Sequence, residues 1–134
     1  MEKCTLEKDG FIANYYSGNY ETDKAIISVG GASCDEKTSI AMAEFLIQEG
    51  YNVLVLGFYL WKGLSKNLAS IPVDYVEKAV FWLLDKKKAK KIAMTGASTG
   101  GAFTLLSASL IPEITCVIPV VPYDHVIEGT TKNN

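Results

Sequence analysis

A serine with glycines two residues away on either side is the feature of this 134-residue sequence best suited to chemistry. The run Gly96-Ala97-Ser98-Thr99-Gly100 matches the pattern Gly-x-Ser-x-Gly. In that pattern the serine occupies a strained turn between a strand and a helix, and the glycines leave room where the two backbones approach. We therefore predict that Ser98 is a nucleophile held above a sheet, with Gly96 and Gly100 as the elbow glycines.

Such a serine needs hydrogen-bond donors for the oxyanion that develops during acyl transfer. One donor is the N–H of the residue after the nucleophile, here Thr99, and the other comes from a loop after an earlier strand. Gly30 and Gly31 directly follow the apolar segment Ala25–Val29. We therefore predict the backbone at Gly31 as the second donor, although glycine pairs are also common in plain strand-to-helix turns.

The elements that must position these groups alternate along the chain. Apolar segments rich in strand-forming residues are separated by segments with helical periodicity. Strands are predicted at Phe11–Tyr16, Ala25–Val29, Tyr51–Tyr59, Lys91–Thr95 and Ile114–Val121, and helices at Ile40–Glu49, Val73–Leu84 and Ala102–Leu110. Continuous apolar strands are typical of sheets covered on both sides. The predicted fold class is therefore α/β, a mostly parallel sheet with helices on both faces.

Composition argues against several other classes of function. The 13 Lys and Arg residues and 15 Asp and Glu residues leave a net charge of −2, which does not favour a nucleic-acid partner. The longest apolar run, Val53–Trp61, is well short of the ~20 residues that span a bilayer. Without a signal pattern at Met1–Cys4 either, we predict a cytoplasmic protein that does not contact membranes.

The widely spaced Cys4, Cys34 and Cys116 favour free, mostly buried thiols, and no metal or cofactor is expected.

The serine turn also has an alternative interpretation. The run Thr95–Gly100 resembles the dinucleotide-binding turn of short-chain dehydrogenases, and Asp124 lies about where a ribose-binding acid would follow the next strand. However, Ala102 stands where the third glycine of that pattern belongs, and predicted βα units precede a turn that should open the domain. The Tyr-x-x-x-Lys pair of those enzymes is absent, since Lys78 follows Tyr75 by three residues and the pattern requires four. A nucleotide-binding enzyme is thus an alternative with less support.

Several further segments resemble one family, the C-terminal domain shared by acyl-CoA thioester hydrolases and bile acid-CoA:amino acid N-acyltransferase. The resemblance covers roughly residues 20–129, and its matching segments are Gly30-Gly31, Glu49–Leu56, Ile71–Glu77, Gly96–Gly101 and Ile114–Tyr123. Dienelactone-hydrolase-like proteins share much of this pattern. The resemblance implies the N-terminal portion of an α/β-hydrolase fold and acyl-enzyme chemistry on Ser98. It also implies an acyl-CoA or another acyl ester or thioester as the substrate.

The sequence offers no clear acid and histidine to complete a triad with Ser98. In this fold both partners follow the nucleophile along the chain, and the single histidine, His125, comes directly after Asp124. Adjacent side chains in an extended stretch diverge, so these two residues are tentative candidates that cannot form an in-line relay. We therefore expect 1–134 to be a single, apparently truncated hydrolase domain with a polar tail at 130–134, inactive alone.

Two consequences of that interpretation stay open at this point. A non-catalytic half-domain or binding module is the alternative to a hydrolase or acyltransferase. In either case the apolar strand Ile114–Val121 would form an edge of the sheet, and exposed edges tend to pair with another chain. Pro119 and Pro122 lack amide donors and would block such pairing only in part. We therefore expect self-association through this strand.

Overall fold

The computed structural model describes residues 1–19 and 22–124, and these residues form one sheet with helices packed against it. The tentative His125 and the tail at 130–134 lie outside the described residues. In chain order the elements are β1 (Glu2–Cys4), α1 (Leu6–Asp9), β2 (Ile12–Tyr16), β3 (Lys24–Val29), α2 (Glu36–Gln48), β4 (Val53–Gly57), α3 (Val73–Lys86), β5 (Lys91–Ala97), α4 (Thr99–Leu110) and β6 (Ile114–Val120). Within these ranges no helix is long and apolar enough to cross a bilayer.

The sheet has the strand order β1-β2-β4-β3-β5-β6. Strands β4, β3, β5 and β6 run parallel to one another, whereas β1 and β2 pair antiparallel at the other end of the sheet. The predicted fold class and the parallel pairing of the four predicted strands are therefore confirmed. The sequence analysis missed β1, because a three-residue strand is too short to show the alternation on which strand prediction depends.

The core lies on both faces of the sheet, as the continuous apolar strands predict. Every residue of β4 is buried. Val53 and Val55 pack with Ala43 of α2 on one face, whereas Leu54 and Leu56 join the larger cluster on the opposite face. That larger cluster also contains the inward side chains of α3 and α4, namely Val76, Ala79, Val80, Leu83 and Phe103.

Several other details differ from the sequence-based expectation, among them the start of α4 at Thr99 rather than Ala102. Helix α2 begins at Glu36 rather than Ile40, because Asp35 caps it by accepting the Thr38 N–H at 2.9 Å. Strand β4 is shorter than predicted at both ends. The expectation of mostly buried thiols is wrong, since only Cys4 is buried while Cys34 is half-buried and Cys116 is exposed. Cys116 is exposed because β6 is the last strand of the described sheet.

The strand order decides which turns meet. Parallel strands end at the same edge of a sheet, and β3 lies between β4 and β5. Val29 at the end of β3 is paired with Gly96, and Ala97 at the end of β5 is paired with Val120. The turn after β3, the serine turn and the end of β6 are therefore adjacent.

Candidate active site

Ser98 forms the junction between β5 and α4, with φ 54° and ψ −119°. A positive φ is uncommon for a residue other than glycine, and such strain persists only where the surrounding structure imposes it. The backbone geometry at Ser98 is thus the unfavourable one that the Gly-x-Ser-x-Gly pattern predicts. Its side chain is partly exposed at the edge where the three turns meet.

The two elbow glycines lie where no side chain fits. A Cβ built on Gly96 would lie 2.5 Å from the carbonyl oxygen of Gly100, and one built on Gly100 would lie 2.2 Å from the carbonyl oxygen of Gly30. Both obstructing atoms belong to the backbone, so a side chain could be admitted only by moving an element. Close packing of β3, β5 and the first turn of α4 therefore holds the serine turn in place.

Backbone hydrogen bonds fix the turn on both sides. The Ser98 N–H donates to the carbonyl oxygen of Val120 at 2.9 Å, and the Ser98 carbonyl oxygen accepts the Ala102 N–H at 3.0 Å. Thr99 is the first residue of α4 and is buried. The first N–H groups of a helix have no intrahelical acceptor and lie at the positive end of its dipole. Thr99 is accordingly placed where an oxyanion beside Ser98 could be stabilised.

Gly31 lies against Ser98, but its amide is bound to sulfur. A Cβ built on Gly31 would be 3.9 Å from the Ser98 Cβ, so the turn after β3 does reach Ser98. However, the Gly31 N–H donates to the Cys34 Sγ at 3.2 Å, while the Cys34 N–H donates to the Gly31 carbonyl oxygen at 3.2 Å. This tight turn directs the Gly31 amide at the thiol, and the role of Gly31 as an oxyanion donor stays a prediction. Because a thiol is a weak acceptor, an oxyanion could displace it.

Tyr123 is a site residue that the sequence analysis missed. Hydrogen bonding from the Ser98 and Thr99 side chains lowers the pKa of Tyr123 below its ordinary value. The contact depends on the path of the chain after β6, where Val121 has φ 42°. No local pattern predicts such a path, because a β-branched residue normally avoids positive φ.

The remaining sequence candidates are the tentative pair Asp124 and His125. Asp124 is exposed and follows Tyr123, while His125 lies outside the described residues. The tentative pair therefore stays a prediction. No group of His, Cys, Asp and Glu side chains within 1–19 and 22–124 could hold a metal ion.

Residues 71–132 match the model of the BAAT / acyl-CoA thioester hydrolase C-terminal family. Human acyl-coenzyme A thioesterase 1 is 30% identical over 93 residues, which cover 68% of this chain and 20% of that protein. Human acyl-coenzyme A thioesterase 6 is 32% identical over 98 residues, which cover 69% of this chain and 22% of that protein. The chain is an α/β-hydrolase domain related to the acyl-CoA thioesterases. It spans about a fifth of the length of these curated relatives.

Solved structures support the same fold for this hydrolase domain. The Pyrococcus furiosus esterase Pf2001 superposes with a TM-score of 0.64 at 24% identity, over 91% of this chain and 56% of that one. Est1E from Butyrivibrio proteoclasticus, solved with ferulic acid bound, gives a TM-score of 0.63 at 22% identity, over 85% of this chain and 50% of that one. At these identities the likeness shows the shared fold.

Proposed function

We propose that this domain forms an acyl-enzyme on Ser98 and acts on acyl-CoA thioesters or related acyl esters. The observation that carries the proposal is the strained, positive-φ backbone of Ser98 at the β5–α4 junction. A nucleotide-binding turn would need no such strain at one serine, and it would open the domain, whereas this turn follows the fifth strand. The related acyl-CoA thioesterases and the family match support the substrate class.

The chemistry follows from the position of each group. The Ser98 Oγ attacks the acyl carbon of the thioester, and the carbonyl oxygen becomes an oxyanion beside the Thr99 N–H and the positive end of α4. Collapse of this intermediate breaks the carbon–sulfur bond, leaves the acyl group on Ser98 and releases the thiol. Transfer of the acyl group to water or to an amine would then free the serine.

We expect turnover by the 134-residue chain to be close to background. A serine hydroxyl is a weak nucleophile unless a base removes its proton, and the single histidine, His125, directly follows Asp124 in sequence. In a well-studied serine protease, oxyanion and binding effects alone retain about 10³–10⁴-fold acceleration over water. We therefore expect Ser98 to be acylated slowly and to release the acyl group still more slowly.

Incubation with an acyl-CoA should therefore leave the acyl group on the protein. Mass spectrometry of the intact chain and of the peptide that contains Ser98 should show the added acyl mass, with one free CoA thiol released per acyl group. Titration with a nicotinamide dinucleotide serves as the parallel test of the alternative. A folded chain that takes up no acyl group would favour a non-catalytic binding module, and specific dinucleotide binding would favour the nucleotide-binding enzyme.

We also propose that the chain self-associates through β6. This strand is the last in the described sheet, and Ile118 and Val120 are each 50% exposed. Unpaired backbone groups beside exposed apolar side chains form a template for pairing with another chain. Pro119 removes one amide donor but leaves the other backbone groups of the strand able to pair.

Sedimentation or light scattering of the purified chain should therefore show species larger than a monomer. Ile118→Lys should shift the distribution toward monomer, because a lysine on an edge strand opposes pairing. Phe81→Lys is the matched control, since Phe81 is 44% exposed on α3 and far from the edge. A wild-type chain that stays monomeric, or equal responses of the two variants, would count against association through β6.

A further inference from the structure

A groove lies between the start of α2 and the loop after β4. Because α2 follows β3, and because β3, β4 and β5 are parallel, the groove opens at the same edge of the sheet as the serine turn. Its volume is about 520 Å³, and Ile40, Leu60 and Trp61 form its apolar surface. A volume of this size is within the range typical of small-molecule sites.

The apolar wall of the groove is fixed by packing within the protein. Trp61 is 3% exposed, and its indole N–H donates to the Ser39 Oγ at 3.3 Å. A Cβ built on Gly57 would lie 2.5 Å from the Trp61 Cδ2, so the ring lies directly on the end of β4. Leu60 has φ 66°, and its N–H donates to the Ser65 carbonyl oxygen at 2.8 Å. The wall therefore needs no rearrangement to receive a ligand.

Two carboxylates also line the groove, and the protein itself engages both of them. The Asp35 carboxylate caps α2 by accepting the Thr38 N–H. The Glu36 Oε1 accepts hydrogen bonds from the Asn14 Nδ2 at 2.9 Å and from the Lys3 Nζ at 3.5 Å. Lys3 thus compensates the charge of Glu36, and both acids are already used to hold the start of α2.

The two cations of the groove, Lys37 and Lys62, are in the opposite situation. Both side chains are exposed. Within residues 1–19 and 22–124, neither ammonium group forms an ion pair or a hydrogen bond. The groove therefore offers two uncompensated cations beside an apolar wall, which suits a ligand with anionic groups at one end.

The groove is connected to the serine turn through Ser39 and the turn after β3. The Ser39 Oγ that accepts the Trp61 N–H would lie 2.6 Å from a Cβ built on Gly30. The Gly30 carbonyl oxygen would in turn lie 2.2 Å from a Cβ built on Gly100 in α4. A ligand whose reactive end is at Ser98 can thus extend across the turn after β3 and reach the groove.

We propose that this groove binds the phosphate-bearing end of the CoA thioester, with Lys37 and Lys62 contacting its phosphate groups. This inference rests on the proposed acyl-CoA substrate of Ser98. CoA carries a diphosphate and a 3′-phosphate at one end and its sulfur at the other, joined by a flexible pantetheine arm. Lysine binds phosphate as a compact cation, and the apolar wall provides surface for the adenosine.

Binding can be measured without any reaction, because free CoA carries no acyl group. The chain has two tryptophans, so a ¹⁵N spectrum contains two indole resonances, which Trp61→Phe assigns. CoA should shift the Trp61 resonance. The Trp82 resonance should stay in place, because Trp82 packs against the rings of Phe11 and Tyr15 below α3. Pantetheine at the same concentration has no phosphate and should shift neither resonance.

Substitution of the lysines should weaken the binding of CoA selectively. Lys37→Gln and Lys62→Gln should each raise the Kd for CoA about tenfold, as expected when a hydrogen bond to a charged group is lost. Lys66→Gln is the matched control, because Lys66 is exposed in the same loop as Lys62 but does not line the groove. All three side chains are exposed, so circular dichroism should show an unchanged fold.

The outcomes separate this inference from the proposed function. Pantetheine binding as tightly as CoA, or equal losses in Lys66→Gln and Lys62→Gln, would overturn the groove as the phosphate site. Inorganic pyrophosphate that shifts Trp61 as strongly as CoA does would also overturn it, since the groove would then be a site for free phosphate.

Acylation of Ser98 by acyl-CoA completes the comparison. Acylation that proceeds equally fast in Lys37→Gln and Lys62→Gln at low acyl-CoA concentration would overturn this inference and leave Ser98 as the nucleophile. CoA binding that depends on both lysines, in a chain whose Ser98 takes up no acyl group, would overturn the proposed function and leave the groove as a CoA site.

Discussion

Ser98→Ala should reduce fluorophosphonate labelling and acylation by acyl-CoA to the level of a denatured control. Both reactions form a bond to the Ser98 Oγ, so removal of that atom leaves nothing for the reagent to modify. The Ser98 backbone has φ 54°, which alanine tolerates about as poorly as serine, so the fold should be retained. In-gel fluorescence of the labelled chain, together with the intact mass, measures the loss.

A second serine with a strained backbone, Ser70, provides the control for Ser98→Ala. Ser70 also has φ 54°, but it is exposed in the loop before α3 rather than placed at the junction of a strand and a helix. Ser70→Ala should therefore leave labelling unchanged. Labelling that persists in Ser98→Ala, or that falls equally in Ser70→Ala, would show that the reactive group lies elsewhere.

Gly100→Ala should lower the free energy of unfolding by about 3 kcal/mol or more, at the upper end of what overpacking costs. The added methyl group would lie 2.2 Å from the carbonyl oxygen of Gly30 and 3.0 Å from its carbonyl carbon. Intrinsic helix propensity predicts the opposite sign, since alanine within a helix is favoured over glycine by about 0.5–1 kcal/mol. Urea denaturation followed by circular dichroism would measure the change.

Gly101→Ala adds the same methyl group one residue further along α4, where the steric conflict is smaller. A Cβ on Gly101 would lie 3.1 Å from the carbonyl oxygens of Gly96 and Val120, so a shift of a few tenths of an ångström would accommodate it. Gly101→Ala should therefore cost about 1 kcal/mol, toward the lower end for overpacking. A Gly100→Ala variant as stable as the wild type, or less perturbed than Gly101→Ala, would contradict the close packing of β3 against α4.

Short-range sequence information was enough to predict the parallel core and the serine turn. The strained geometry of Ser98 depends on neighbours two residues away, because only glycine at 96 and 100 permits the backbones to approach. Likewise, the unbroken apolar run of β4 predicts burial on both faces, and all of its residues are buried. Such features are encoded within one turn or one strand, so no knowledge of distant contacts is needed.

The contacts around Ser98 could be decided only by the tertiary structure. The engagement of the Gly31 amide by the Cys34 thiol depends on how the turn after β3 closes. The approach of Tyr123 depends on β6 pairing with β5 and on the left-handed conformation of Val121. A β-branched residue has no local preference for that conformation. The strain at Val121 is imposed by the packing of the chain on the serine turn, which is why the sequence pattern contains no sign of Tyr123 as a partner of Ser98.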